Sequence, residues 1–255
     1  MTKKEFCLFG GDKSWSPEDW TASDDRVRGG KSQSYLDCSS SESSAWFHGQ
    51  LDIKTLGGAG FASQRTTGNN QSWDLSCYNG IRLEIGEADK KRYTFIIKDE
   101  LLPKNPENGR EQSTISYEYD FIIPSGNAYN KGTFIFIPWK EFKATYRGKE
   151  KKDAPALNCK KIKRFSIMMR SFFGDQEGPF SLTITSIKAI LLLSDPEKCL
   201  LETSDIYEDC VATTHGPKMS VRQPQWPVLI LGLATGCLLF YNIVYPWFVK
   251  QSCRL

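Results

Sequence analysis

The sequence predicts an all-β body, a β-sandwich of two packed antiparallel sheets, followed by one C-terminal transmembrane helix. Three observations carry this. Apolar and polar residues alternate in stretch after stretch, no helical pattern separates those stretches, and one span near the C-terminus has no charge. Alternation enriched in β-branched and aromatic residues, and bounded by Gly, Pro or Asn, marks a half-buried strand.

The elements follow in order. "AWFHGQL" (45–51) and "GAGFASQR" (58–65) are short strands whose glycines suggest bulges. "GIRLEIG" (80–86) alternates Ile81, Leu83 and Ile85 against Arg82 and Glu84. "RYTFIIK" (92–98) does the same with Tyr93, Phe95 and Ile97, and "TISYEYDFII" (114–123) with Ile115, Tyr117, Tyr119 and Phe121. "GTFIFIP" (132–138), "RFSIMMRS" (164–171) and "FSLTITSIKAILLL" (180–193) complete the series. Eight or nine strands with no helices between them form two packed sheets, placed at residues 8–194. Residues 100–113 and 143–160 read as long loops, and 195–225 as a charged linker.

No charged residue lies between Arg222 and Lys250. The segment "WPVLILGLATGCLLFYNIVYPWFV" (226–249) would cover about 36 Å as a helix, enough for a bilayer core of about 30 Å. Trp226, Tyr241, Tyr245 and Trp247 put aromatic rings toward its ends, and a short tail, 250–255, follows. A lipid bilayer is therefore an expected partner through 226–249. The opening residues lack the apolar core of a signal peptide and the basic, acid-poor character of a mitochondrial presequence. The eight cysteines contain no Cys-x-x-Cys pair and read as free thiols in a reducing compartment.

The chemistry that the chain excludes narrows its function. Gly29-Gly30-Lys31-Ser32 looks like the end of a phosphate-binding loop, but the position of the required first glycine is Asp25, next to Asp24. Two carboxylates there would repel a phosphate. Only His48 and His215 are available as bases, and no Gly-x-Ser-x-Gly elbow accompanies them. Glu118 and Asp120 share a strand face at glycosidase-like spacing, yet such pairs are usually the solvated side of a strand. Scattered cysteines give no metal-ligand spacing. No catalytic, cofactor-binding or metal residue is assigned. The ten Lys and Arg from Lys140 to Arg164 lack the interleaved aromatics of an RNA surface, so no nucleic acid is expected. In "RSFFGDQEGPF" (170–180), Phe172 and Phe173 border a turn, where core capping is the expected role and an exposed patch the alternative.

Read together, several segments resemble the complex I intermediate-associated protein 30 family. They are "SDDRVRGGKSQSYL" (23–36), "LGGAGFASQR" (56–65), "WDLSCYNGIRLEI" (73–85), "YTFIIKDE" (93–100), "FIPWKEFKATYRGK" (136–149) and "FSIMMRSFFGDQEGPFSLTI" (165–184). The resemblance implies a galactose-binding-type jelly roll and a non-catalytic assembly factor for mitochondrial respiratory complex I, with no cofactor. The glycine pair of the first segment then serves backbone geometry, with Arg26, Arg28 and Lys31 pairing with acids such as Asp24 or forming a charged rim. The expected partners are membrane proteins or assembly intermediates, and the candidate contact surface is Arg147, Lys149, Phe172 and Phe173. The alternative is a carbohydrate- or glycoprotein-binding module in the endoplasmic reticulum membrane, with Trp46, Trp73 or Trp139 as platforms and Asn70 as a glycosylation site.

Overall fold

A pleated chain sends successive side chains to opposite faces, so the alternating stretches become strands with one face buried. The computed structural model describes residues 3–39, 43–123 and 133–192. Its strands are β1 (Lys3–Gly10), β2 (Trp20–Ala22), β3 (Gln33–Ser39), β4 (Ser44–Leu51), β5 (Phe61–Thr66), β6 (Gly80–Ala88), β7 (Arg92–Lys98), β8 (Ser116–Ile122), β9 (Thr133–Pro138), β10 (Lys143–Tyr146), β11 (Lys149–Glu150), β12 (Arg164–Arg170) and β13 (Gly178–Leu192). They form two antiparallel sheets. One runs β3-β4-β13-β6-β9 with β1 also paired to β13, and the other runs β11-β10-β8-β7-β12-β5-β2. The predicted two-sheet sandwich is the observed architecture.

The inner faces supply one core. Phe47, Leu83, Ile137, Leu182 and Ile184 come from the first sheet, and Tyr93, Phe95, Phe165, Ile167 and Met169 from the second. An aromatic cluster holds one end. Phe165 packs against Phe9, Trp73 and Phe95 at centroid distances of 5.9, 5.1 and 6.0 Å. Strand β13 is the spine of its sheet. It pairs with β4 through Gly178–Ile184, with β1 through Ser186–Leu192, and with β6 along its other edge.

Four strands depart from the sequence reading for identifiable reasons. β1 carries a register shift between Cys7 and Phe9, which breaks its period of two. In β3, Ser34 takes an inward position because it binds Asp24, so a polar residue interrupts the face that Leu36 and Cys38 turn to the core. The expected loop 143–160 contains the hairpin β10–β11. Its two-residue turn is Arg147-Gly148, both at positive φ (52° and 77°), and Tyr146 pairs directly with Lys149.

The Gly-Gly-Lys-Ser stretch proves to be structural. Asp25 is fully buried and accepts hydrogen bonds from Ser32 N (3.1 Å), Ser32 Oγ (2.6 Å) and Phe61 N (3.1 Å). Asp24 likewise accepts from Ser34 N, Ser34 Oγ and Ser63 N at 3.1, 2.6 and 2.9 Å. These bonds tie the loop to β3 and β5. Asp24 is satisfied by hydroxyls and amides, so Arg26, Arg28 and Lys31 do not pair with it and instead stand exposed, the other of the two expected roles. Gly30 is required because a Cβ there would overlap the Asp25 carboxylate.

Cys7, Cys38 and Cys159 are free thiols, whereas Cys77 is disulfide-bonded, a correction to the all-thiol reading. A missing Cys-x-x-Cys motif says nothing about bridges between residues distant in sequence. Among the described residues no helix is long and apolar enough to cross a membrane. The expected linker 195–225, span 226–249 and tail 250–255 lie outside the described residues.

Candidate functional site

Because Tyr93, Phe95, Ile97, Phe165, Ile167 and Met169 point into the core, the residues between them point outward. Strand register arranges these in rows across the seven-stranded sheet. Arg65, Ser166, Ile96 and Glu118 form one row, and Ser63, Met168, Thr94 and Asp120 the next. Arg164 stands opposite Lys98.

The charges on this face are tightly connected. Glu111 accepts from Arg164 Nη1 and Arg65 Nη2, both at 2.8 Å, and Arg164 Nη2 donates to Asn69 Oδ1 at 3.0 Å. Arg170 bridges Glu118 (2.6 Å) and Asp120 (2.7 Å), while Thr145 Oγ1 and Thr94 Oγ1 donate to the same two carboxylates at 2.7 Å. Burial raises the Glu111 carboxyl, but Arg164 and Arg65 outweigh it and leave the group below the usual carboxylate range. Lys98 donates to Thr114 Oγ1 at 3.0 Å. Burial, with the charge of Arg164 adding to it, lowers its pKa from the ordinary lysine value.

These side chains surround a groove of about 450 Å³ on the outer face. Arg147 reaches it from the β10–β11 turn, and Phe172 and Phe173 from the turn after β12. Three of the four residues singled out in the sequence thus meet at one site. Lys149 is exposed on β11 and does not line the groove. Phe172 and Phe173 do not cap the core, which corrects the expected role. Phe172 lies half-buried over Arg92 and Arg170, with guanidinium carbons 3.5 and 4.6 Å from its ring centroid. Phe173 is 95% exposed. Both adopt positive φ, 46° and 64°, which bulky residues rarely do.

The catalytic candidates of the sequence behave otherwise. His48 lies on the other sheet, bonded to Asp37 Oδ2 at 2.8 Å and stacked between Trp46 and Tyr35. Glu118 and Asp120 share one arginine, so neither is placed as a separate acid or base. Burial raises the pKa of the three free thiols among the described residues, Cys159 to about 11, which is opposite to the activation of a nucleophile. Among the described residues no group of three His, Cys, Asp or Glu could hold a metal ion. Trp73 and Trp139 pack against the core, whereas Trp46 is 45% exposed and Asn70 is exposed.

The sequence pattern put Arg65, Lys98, Arg164 and Arg170 within stretches read as strands. It could not show that β5, β12 and β7 are neighbours, which is what makes them one site.

The family model of complex I intermediate-associated protein 30 matches residues 7–184. A protein of Schizosaccharomyces pombe described as uncharacterized protein C9E9.15 is 47% identical over 187 residues, 72% of this chain and 83% of the relative. Among solved structures, a family 11 carbohydrate-binding module from Clostridium thermocellum, in complex with a mixed-linked tetrasaccharide, superposes with a TM-score of 0.47 at 14% identity, covering 75% of this chain and 98% of the module. The family 11 module of a cellulosomal cellulase from the same organism gives 0.47 at 13% identity, with the same coverage. The family match runs from β1 into β13 and the S. pombe relative is closely similar, so the chain belongs to the complex I intermediate-associated protein 30 family.

Proposed function

We propose that the protein is a non-catalytic assembly factor that holds a membrane-protein partner during the building of respiratory complex I in mitochondria. Family membership supports the assembly role. The observation that carries a binding function is the Phe172–Phe173 turn. Two adjacent aromatics in the left-handed region cost roughly 1–3 kcal/mol each, and such strain persists where the surroundings hold it. Here Ser171 O accepts from Gly174 N and Gln176 N, and Asp175 pairs with Arg92 at 3.2 Å. The turn holds Phe173 out in water beside a charged groove, the composition of an interface hot spot.

Phe173→Ala is expected to weaken partner capture by roughly 2 kcal/mol, about thirtyfold, with little change in stability. Quantitative co-purification of tagged protein with membrane intermediates measures this, and unchanged capture refutes the reading. The exposed Tyr35–His48–Trp46 stack favours a second reading, a glycan-binding platform. If Trp46→Ala abolishes capture and Phe173→Ala does not, that reading replaces the first.

Residues 226–249 tether the sandwich to the membrane in this proposal, with 195–225 as linker. Tethering confines the search to the membrane surface and raises the effective concentration of partner. The full chain is expected to stay in the pellet after alkaline carbonate extraction, and a chain cut after Gln225 to wash off. Equal extraction of both removes the tether.

A further inference from the structure

Six cations line the groove against two carboxylates, Glu111 and Glu118. Arg164 and Arg170 stand at opposite ends of β12 on its outward face, about 20 Å apart at roughly 3.3 Å per residue. The floor between them, Ser166, Met168 and Ile96, has no charge. Protein carboxylates offset only part of the excess: Glu111 is shared by Arg65 and Arg164, Arg170 is held by Glu118 and Asp120, and Arg28, Lys98 and Arg147 have no ion pair with a carboxylate among the described residues. The Nε–H groups of Arg65, Arg164 and Arg170 are buried with no partner among the described residues. Arg28 and Arg147 add exposed charge at the rim. Like charges held in a recess with low-dielectric walls focus an attractive field on an anion.

We propose that this groove receives an extended acidic polypeptide segment of about six residues, lying along β12 with carboxylates spaced down its length. The inference rests on the partner-binding reading of the Phe172–Phe173 turn and adds the chemistry of the partner. A polypeptide fits better than a phosphate group, because the cations are spread along the groove. One phosphate would reach only one end. It also fits better than a bilayer, because a flat headgroup plane meets only the exposed Arg28 and Arg147 and not the recessed, partly exposed Lys98.

The test uses the full chain held in detergent-free phosphatidylcholine nanodiscs and a fluorescein-labelled dodecapeptide of alternating Glu and Ala, followed by anisotropy. The Glu peptide is expected to bind roughly tenfold or more tightly than its Gln–Ala counterpart, and to weaken as salt is raised. Arg28→Glu with Arg147→Glu, two exposed rim positions, is expected to cost roughly tenfold while the melting temperature holds. Inorganic phosphate and phosphatidylserine vesicles should not displace the peptide at matched charge concentration. Equal binding of both peptides, an unaffected charge-reversal variant, or displacement by phosphate or vesicles each overturns the proposal. Its failure is separable from that of the partner-binding reading. Loss of capture in Phe173→Ala without Glu-peptide binding retains the partner and discards the acidic segment, and the converse discards the Phe173 contact.

Discussion

Asp25→Ala is expected to destabilise the sandwich by about 4 kcal/mol, because hydrogen bonds to charged groups contribute roughly 1.5–3 kcal/mol each and are not fully additive. The carboxylate accepts three hydrogen bonds in a site closed to solvent, and alanine leaves the amides of Ser32 and Phe61 buried without an acceptor. For a domain of this size the melting temperature falls by about 2–4 °C per kcal/mol, so a drop of about 8–16 °C follows. Asp25→Asn, which keeps one acceptor oxygen, should cost about half as much. Gly30→Ala provides an internal control. Its Cβ would overlap the Asp25 carboxylate, so the substitution is harmful in the native chain but adds little once Asp25 is alanine. Urea titration of the four variants reads this coupling. An Asp25→Ala protein within about 1 kcal/mol of the native one removes this account of the Gly-Gly stretch.

Phe165→Ala is the second large effect, about 3–5 kcal/mol by the cost of deleting a buried aromatic ring. The ring is fully buried and meets Phe9 of β1, Trp73 of the loop before β6, and Phe95 of β7. Little can collapse into the void, since those neighbours belong to three separate elements. Phe165→Leu should recover much of the loss. The backbone consequence is distinctive. Phe165 N donates to Thr66 Oγ1 at 3.2 Å, and the neighbouring Arg164 closes one end of the groove. Loss of the ring should therefore raise hydrogen-exchange rates in β5 and β12 before those in β4. Uniform acceleration across both sheets contradicts this.

The legible part of the fold is the part with regular burial. "GIRLEIG", "RYTFIIK" and "RFSIMMRS" announce β6, β7 and β12 because one side of each strand is in the core and the other is not. β1 and β3 stay hidden, one behind a bulge and the other behind an inward serine that serves Asp24. The β10–β11 hairpin hides because Arg147 occupies a left-handed turn position where glycine or asparagine would have signalled it. For the site, composition drew attention to Arg147, Phe172 and Phe173, which the structure brings together. Whether Phe173 turned inward or outward depended on the backbone of one turn, which its neighbours in sequence do not specify. Lys98 and Arg164 become one feature only through strand pairing at a distance.

Strand β13 has a consequence for biosynthesis. Lys3 pairs with Leu192, and β4 and β6 share β13 as their common neighbour. A nascent chain halted before Gly178 holds β1, β4 and β6 without the strand that joins them, so Leu83 and Phe47 have no finished interior to enter. Ribosomal pausing upstream of that codon exposes sticky edges for the whole delay, whereas pausing after Leu192 has cleared the exit tunnel leaves a body already able to close.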